Sequence, residues 1–372
     1  MTYYIGIMSG TSLDAIDSVI ISFNDAHPQL LATNSIAFPQ ELKKNLTQLI
    51  TSTEGSLKEI GTLDTQLGEI YAYAATQIIH QSNLSRHEIT AIGCHGQTVY
   101  HQPNQPYPFT WQLGNMHLIA KTTQITTVGD FRKLDMAYGG QGAPLAPAFH
   151  KAVFSDDTEK RMIVNLGGIA NISCLNPNNK HVIGFDTGPS NALLDIWYQK
   201  NHPNHNQLYD DQGSWASTGL VNENLLTLLL ADPYFKAPFP KSTGKEYFNL
   251  HWLEYYLDLI DQPLKPEDIQ ATLSQLSAKS IADAIFKAQA DTKTIYLAGG
   301  GVFNIDLVNR IKTELHTIAI HTTAKLGIDP LWVEASLIAW LSMMRLEHRR
   351  SNIISVTGAS EQLSLGTIYL PT

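Results

Sequence analysis

The apolar residues of this chain follow one succession of elements and then begin it again. Apolar or β-branched runs at 3–8, about 16–22 and about 30–37, parted by Gly10, Asp14 and Pro28, predict three short strands. Leu57, Ile60, Leu63, Leu67, Ile70, Ala74 and Ile78 then recur at spacings of three and four, the period of a helix with one buried stripe. A strand at 89–94, a helix at 115–122, a strand at 125–129 and a helix at 147–154 complete a βββαβαβα order. The order restarts with strands at 162–166, 171–175 and 182–185 and a helix opened by Pro189 in its first turn. A helix at 266–288, strands at 294–298 and 318–321, and helices at 303–315 and 330–345 finish the second round.

A doubled pattern of this kind predicts an α/β protein of two lobes with a cleft between them, each lobe a mixed five-stranded sheet with flanking helices. Length agrees, because 372 residues exceed what one hydrophobic core usually fills. The polar run 155–160 is the expected junction, giving a first lobe of 1–158 completed by the C-terminal segment 346–372 and a second of 159–345. Residues 201–262 have no counterpart in the first half and read as an insertion. Its aromatic residues, with Trp197 just ahead of it and Trp215, Tyr234, Phe235, Phe248, Trp252, Tyr255 and Tyr256 within, suit a core better than a base-stacking platform.

Composition narrows the chemistry. A net charge of -9 disfavours a grip on nucleic acid, which needs clustered cations to displace counterions from phosphates. Two cysteines, Cys94 and Cys174, make no disulfide framework and fit a reducing compartment. The N-terminal stretch starts directly on an apolar strand without an export signal, and no apolar run approaches the ~20 residues of a membrane span. The expectation is a cytoplasmic enzyme of small molecules, with no membrane partner and with room for a homodimer.

Candidate chemistry sits at strand ends. Gly10, Thr11, Ser12, Leu13, Asp14, Ala15, Ile16 and Asp17 lie between two predicted strands, where small residues let backbone and hydroxyls approach phosphate oxygens, and where Asp14 and Asp17 would hold magnesium through water. A polar hairpin turn explains the same composition. Asn165, Gly167 and Gly168 occupy the equivalent hairpin of the second half, and Gly299, Gly300 and Gly301 with Asn304 follow an apolar strand and open a helix, as nucleotide-binding turns do. Asp186 ends a strand ahead of a helix, which suits a general base or a helix N-cap. His95, Gln97 and Arg132 follow two further strands; Arg132 is shaped for a carboxylate, or for an ion pair with Asp130 or Asp135. Glu334 lies on the apolar C-terminal helix, where a carboxylate faces either a cleft or solvent.

Several strings carry a resemblance. Met8–Asp17, 93–99, Phe109-Thr110-Trp111-Gln112-Leu113-Gly114, 129–132, Gly139-Gly140-Gln141-Gly142-Ala143-Pro144-Leu145-Ala146-Pro147, 165–171, 186–191, Pro240-Lys241-Ser242-Thr243-Gly244-Lys245-Glu246, 299–304 and Thr357-Gly358-Ala359 together resemble the anhydro-N-acetylmuramic acid kinase family over nearly the whole chain. The resemblance implies an actin-like (ribonuclease-H-like) fold shared with heat-shock chaperones and sugar kinases. It further implies ATP with Mg2+, and conversion of 1,6-anhydro-N-acetylmuramate, ATP and water into N-acetylmuramate 6-phosphate and ADP during peptidoglycan recycling. By it Asp186 would activate water, 10–17 would cradle phosphate, 299–304 would meet the nucleoside, and Arg132 would contact the sugar's carboxylate. Ala15 and Ser190 stand where the family pattern leads one to expect glycine, and neither removes a charged group. The rival readings are a phosphohydrolase or an ATP-driven conformational protein on the same scaffold, and a nucleotide-sensing module without turnover.

Overall fold

A computed structural model describes residues 2–10, 13–24, 27–104, 106–178, 182–205 and 207–371. The strands, in chain order, are β1 (Tyr3–Ser9), β2 (Ala15–Asn24), β3 (His27–Ala37), β4 (Ile89–Cys94), β5 (Gln97–Gln102), β6 (Phe109–Leu113), β7 (Thr127–Gly129), β8 (Arg161–Leu166), β9 (Ile169–Leu175), β10 (Ile183–Pro189), β11 (Thr294–Ala298), β12 (Ala319–Thr322) and β13 (Thr367–Tyr369). The chain divides into two compact units, Met1–Val153 with Trp332–Thr372, and Phe154–Leu331.

The first unit carries a sheet in the order β13-β7-β4-β1-β2-β3. β2 runs antiparallel to β1 and to β3, whereas β4 runs parallel to β1 and β7 parallel to β4. The second unit repeats this with β10-β9-β8-β11-β12: β9 is antiparallel to both neighbours, β11 parallel to β8, and β12 parallel to β11. Three antiparallel strands continued by two parallel ones is the actin-like arrangement, and both units have it. The first sheet gains a sixth strand over the expected five because the C-terminal residues add β13 antiparallel to β7.

Each unit has its own core. In the first, Leu63, Leu67, Tyr71, Ala75 and Ile78 of helix Leu57–Ser82 pack on Ile5, Ile7, Ile20 and Ile92 of the sheet. In the second, Ala278, Ile281 and Ile285 of helix Pro266–Gln289 cover Met162, Val164, Ile172 and Ile295. Residues 201–262 do build apolar structure, as Leu225, Phe248 and Leu253 cluster with Trp197 and Leu273.

Four details depart from the expected layout. Helix Val333–Leu346 belongs to the first unit, not the second, because Gly6 of β1 and Gly93 of β4 leave bare backbone on which it lies; a Cβ on Gly93 would run into the Ile338 carbonyl. Helix Gln40–Ser52 was not foreseen, as its buried side is only Leu42 and Leu46. The β5–β6 hairpin forms over residues to which the sequence pattern assigned no element. Pro189 ends β10 instead of opening a helix, and helix Asn191–Asn201 starts after it.

Candidate active site

In the second unit, Asp186 lies within β10, paired opposite Asn171 of β9 at a point where the register shifts. It caps no helix, since Ser190 occupies the N-cap position of helix Asn191–Asn201. Residues 234–243 hold it from three sides. Its N–H donates to the Lys241 carbonyl at 3.0 Å, its own carbonyl accepts from the Tyr234 hydroxyl at 2.7 Å, and its Oδ2 accepts from the Thr243 N–H at 3.0 Å. Burial pushes the Asp186 carboxyl up to about 6; the Thr243 amide opposes the rise and the charge of Glu246 adds to it. A carboxylate so raised is matched to taking a proton near neutral pH.

The second unit's glycine clusters meet beside Asn165, at the end of β8. Gly299 has φ +82, and a Cβ there would strike the Asn165 side chain; a Cβ on Gly301 would stand 2.6 Å from Asn191 Nδ2, while Gly300 faces open space. Between β8 and β9, the Gly167 carbonyl accepts from Asn191 Nδ2 at 2.8 Å and the Gly168 carbonyl from the Ser190 N–H at 3.0 Å. Lys245 lies over Gly168, where a Cβ would come within 2.9 Å of its Cε. Asn304 is engaged locally, its Oδ1 accepting from the Leu307 N–H at 3.0 Å as the N-cap of helix Ile305–Glu314.

In the first unit, Thr11 and Ser12 of the first hairpin lie outside the described residues. Around them, Leu13 turns inward with φ +55 and its N–H donates to the Gly10 carbonyl at 3.1 Å, so this amide closes the turn. Ala15 and Ile16 are paired strand residues, and the Ile16 side chain is core. Asp14 is exposed and 3.5 Å from Lys43. Asp17 Oδ1 accepts from the Ser35 hydroxyl at 2.7 Å; burial raises its pKa, as does the charge of Asp14.

His95, Gln97, Arg132 and Glu334 belong to this same unit. Arg132 Nε donates to His95 Nε2 at 3.0 Å and its Nη1 to the Gly142 carbonyl at 2.8 Å. The alternative ion pair is not formed: Asp130 engages Lys133 at 3.2 Å, and buried Asp135 accepts from the Gly142 N–H, Asn352 and Thr357. Gln97 reaches the Gly10 carbonyl at 3.4 Å through Nε2, while its Oε1 is buried without a partner among the described residues. Glu334, in the first turn of its helix, is open to water yet walled by protein; burial raises its pKa first and the Asp17 charge second, with Arg132 opposing.

Asp14, Asp17 and Glu334 are oxygen donors, the chemistry a hard divalent cation prefers; burial first, and mutual repulsion second, lifts Asp17 and Glu334, and a cation would counter the repulsion. Among the described residues no three His, Cys, Asp or Glu side chains converge tightly enough to hold a metal ion directly. Sequence reasoning did not see that 234–243 hold Asp186; the string Pro240–Glu246, long and rich in small polar residues inside an aromatic segment, is the signal that points there.

The sequence model of the family described as anhydro-N-acetylmuramic acid kinase matches residues 2–371. This chain belongs to that family. A protein named anhydro-N-acetylmuramic acid kinase from Coxiella burnetii (strain Dugway 5J108-111) is 47% identical over 367 residues, 98% of this chain and 97% of its own length. One of the same name from Saccharophagus degradans is 45% identical, covering 99% of both chains, and one from Haemophilus influenzae is 44% identical over 99% of this chain and 97% of its own. Membership of the anhydro-N-acetylmuramic acid kinase family accords with the two actin-like sheets, each with a glycine-bearing hairpin between its first two strands. Among the described residues no helix is long and apolar enough to cross a membrane.

Proposed function

We propose that this chain is an ATP-dependent kinase that opens the 1,6-anhydro ring of anhydro-N-acetylmuramic acid with water and phosphorylates the released 6-oxygen, yielding N-acetylmuramate 6-phosphate and ADP. Its place is the cytoplasmic recycling of peptidoglycan fragments. The observation that carries the reading is Asp186, a strand carboxylate with one oxygen pinned by the Thr243 amide and a pKa of about 6.

Asp186 takes a proton from water, and the water oxygen bonds to the anomeric carbon as the bridging C–O bond breaks. That electron pair stays on the 6-oxygen, which accepts the γ-phosphoryl group of ATP, so no separate glycosidase acid is needed. Gly10–Asp17 and Gly167–Gly168 receive the phosphates, and Gly299–Gly301 the nucleoside. Asp14 and Asp17 would hold magnesium through water, and the ion would supply positive charge to the phosphoryl oxygens. Arg132, aimed by neutral His95 and by Gly142, grips the sugar's carboxylate. Gln97 and Glu334 offer hydrogen bonds to sugar hydroxyls.

A phosphohydrolase using the same base would aim water at phosphorus. Turnover of ATP and the anhydro sugar in oxygen-18 water separates the two. Label on the anomeric hydroxyl of the product is the expected result; label confined to free phosphate would refute the kinase reading.

A further inference from the structure

Resting on the function just proposed, we infer that the Thr243 hydroxyl positions the water that Asp186 deprotonates. Thr243 is tied to the base through its own amide, which donates to Asp186 Oδ2 at 3.0 Å, yet its Oγ1 is buried and has no partner among the described residues. Buried hydroxyls are nearly always hydrogen-bonded, to protein or to ordered water, and an orphan beside a functional carboxylate marks a place that a ligand or water fills. Gln97, Gln112, Asp130, Gln270, Thr323 and Ser336 also carry such atoms, but of these residues and Thr243 only Thr243 hydrogen-bonds Asp186.

Geometry keeps the two groups together. A threonine Oγ1 stands about 3 Å from its own amide nitrogen, so it cannot be far from the carboxylate that this amide touches. The segment cannot drift either. Lys241 accepts from the Asp186 N–H at 3.0 Å, and its ammonium donates at 2.7 Å to the carbonyl of Tyr234, whose hydroxyl reaches the Asp186 carbonyl. A water in the corner between Asp186 and Thr243 donates one hydrogen to the carboxylate and the other to Oγ1, leaving a lone pair directed outward. As that lone pair bonds the anomeric carbon, the carbon's bond to the 6-oxygen breaks with its electrons remaining on oxygen. The proton passes to Asp186, and Thr243 keeps its own.

The test compares wild type, Thr243→Val and Thr243→Ser for turnover of anhydro sugar across pH, with a thermal melt of each. Valine preserves shape and amide but removes the acceptor, so kcat should fall by about tenfold or more with the sugar KM little changed. Serine should recover most of the rate. The acid limb of the kcat profile should stay put in both variants, because the amide still holds Asp186; a purely structural role would move it. Full activity in Thr243→Val, equal damage in valine and serine, or a displaced limb would each overturn the inference while the function stands. Absence of wild-type turnover overturns the function and this inference with it.

Discussion

Arg132 donates through Nε to Nε2 of His95, 3.0 Å away. Two residues that are both cationic in acid can share this bond only if the imidazole is neutral. The other ring nitrogen, Nδ1, lies 2.7 Å from the Gly96 carbonyl and so carries the hydrogen. Burial, and secondarily the guanidinium charge, hold the His95 pKa down to about 3. The pair fixes the guanidinium plane and leaves Nη2 without a hydrogen bond among the described residues. Arg132→Lys keeps the charge but not the fork. Under the proposed function the sugar KM should rise by about tenfold to a hundredfold, the cost of a charge-assisted pair, with ADP affinity unchanged by calorimetry. An unaltered KM would remove Arg132 from sugar recognition.

Asp186 makes a two-sided prediction about acidity. Its carboxyl is raised from 3.8 to about 6, so the folded state binds the proton more tightly than the unfolded chain. The stability this lends is complete below 3.8 and is lost as pH climbs through about 6, which leaves the ionised form a burden at pH 7.5. Asp186→Asn should therefore abolish sugar turnover yet raise stability by about 2 kcal/mol at that pH, allowing for partial screening. In wild type, kcat should climb through an acid limb near 6 as the base ionises. A variant that melts earlier than wild type at pH 7.5, or a flat kcat from pH 5 to 7 (roughly bracketing that limb), would contradict the burial argument.

What could be read in advance was set by local periodicity, and what could not was set by distant pairing. The spacing of Leu57 through Ile78 gave a helix that runs Leu57–Ser82, and the doubled strand order became two sheets of matching topology. Asp186 at a strand end was visible as a candidate base, because carboxylate, glycine and helix lie within a few residues. Its partner Thr243 is 57 positions away, and His95 is 37 from Arg132, separations at which one sequence offers no register. Asn304 was read with its glycine cluster as part of a nucleotide-binding turn, and in the fold its side chain caps helix Ile305–Glu314. Helix Val333–Leu346 went to the other unit because nothing in its own apolar pattern says which sheet it covers; that information sits in Gly6 and Gly93, hundreds of residues earlier.

Those two glycines yield a stability prediction. Strand β4 approaches the helix so closely that a methyl group on Gly93 meets the Ile338 carbonyl, a backbone atom that no rotamer change can move aside. Gly93→Ala should destabilise the first unit by about 3 kcal/mol or more and lower its unfolding midpoint in denaturant. Gly300→Ala, at a position with nothing within 4 Å, is the control and should unfold as wild type does. Equal midpoints for the two variants would show that the strand and helix separate easily.

Asp232 is the hub of the segment that holds Asp186. Its Oδ1 accepts from the Tyr234 N–H and the Tyr247 hydroxyl, both at 2.8 Å, and its Oδ2 from Trp252 Nε1 at 2.9 Å and the Tyr256 hydroxyl at 3.0 Å. All four donors point at one buried carboxylate, and indole has no acceptor to offer in exchange. Asp232→Asn is nearly isosteric but turns one oxygen into a donor, so either Trp252 or Tyr234 loses its bond. The expected cost is about 2–3 kcal/mol of stability from a buried polar group left unpaired. Under the proposed function activity should fall as well, because the Tyr234 hydroxyl holds the Asp186 carbonyl and any loosening reaches Asp186. Assayed well below its melting temperature, the variant should show lower kcat with an acid limb displaced from that of wild type, since the Thr243 amide no longer sits squarely on Oδ2. A normal limb with reduced stability would confine Asp232 to holding residues 234–256 together, with no influence on Asp186.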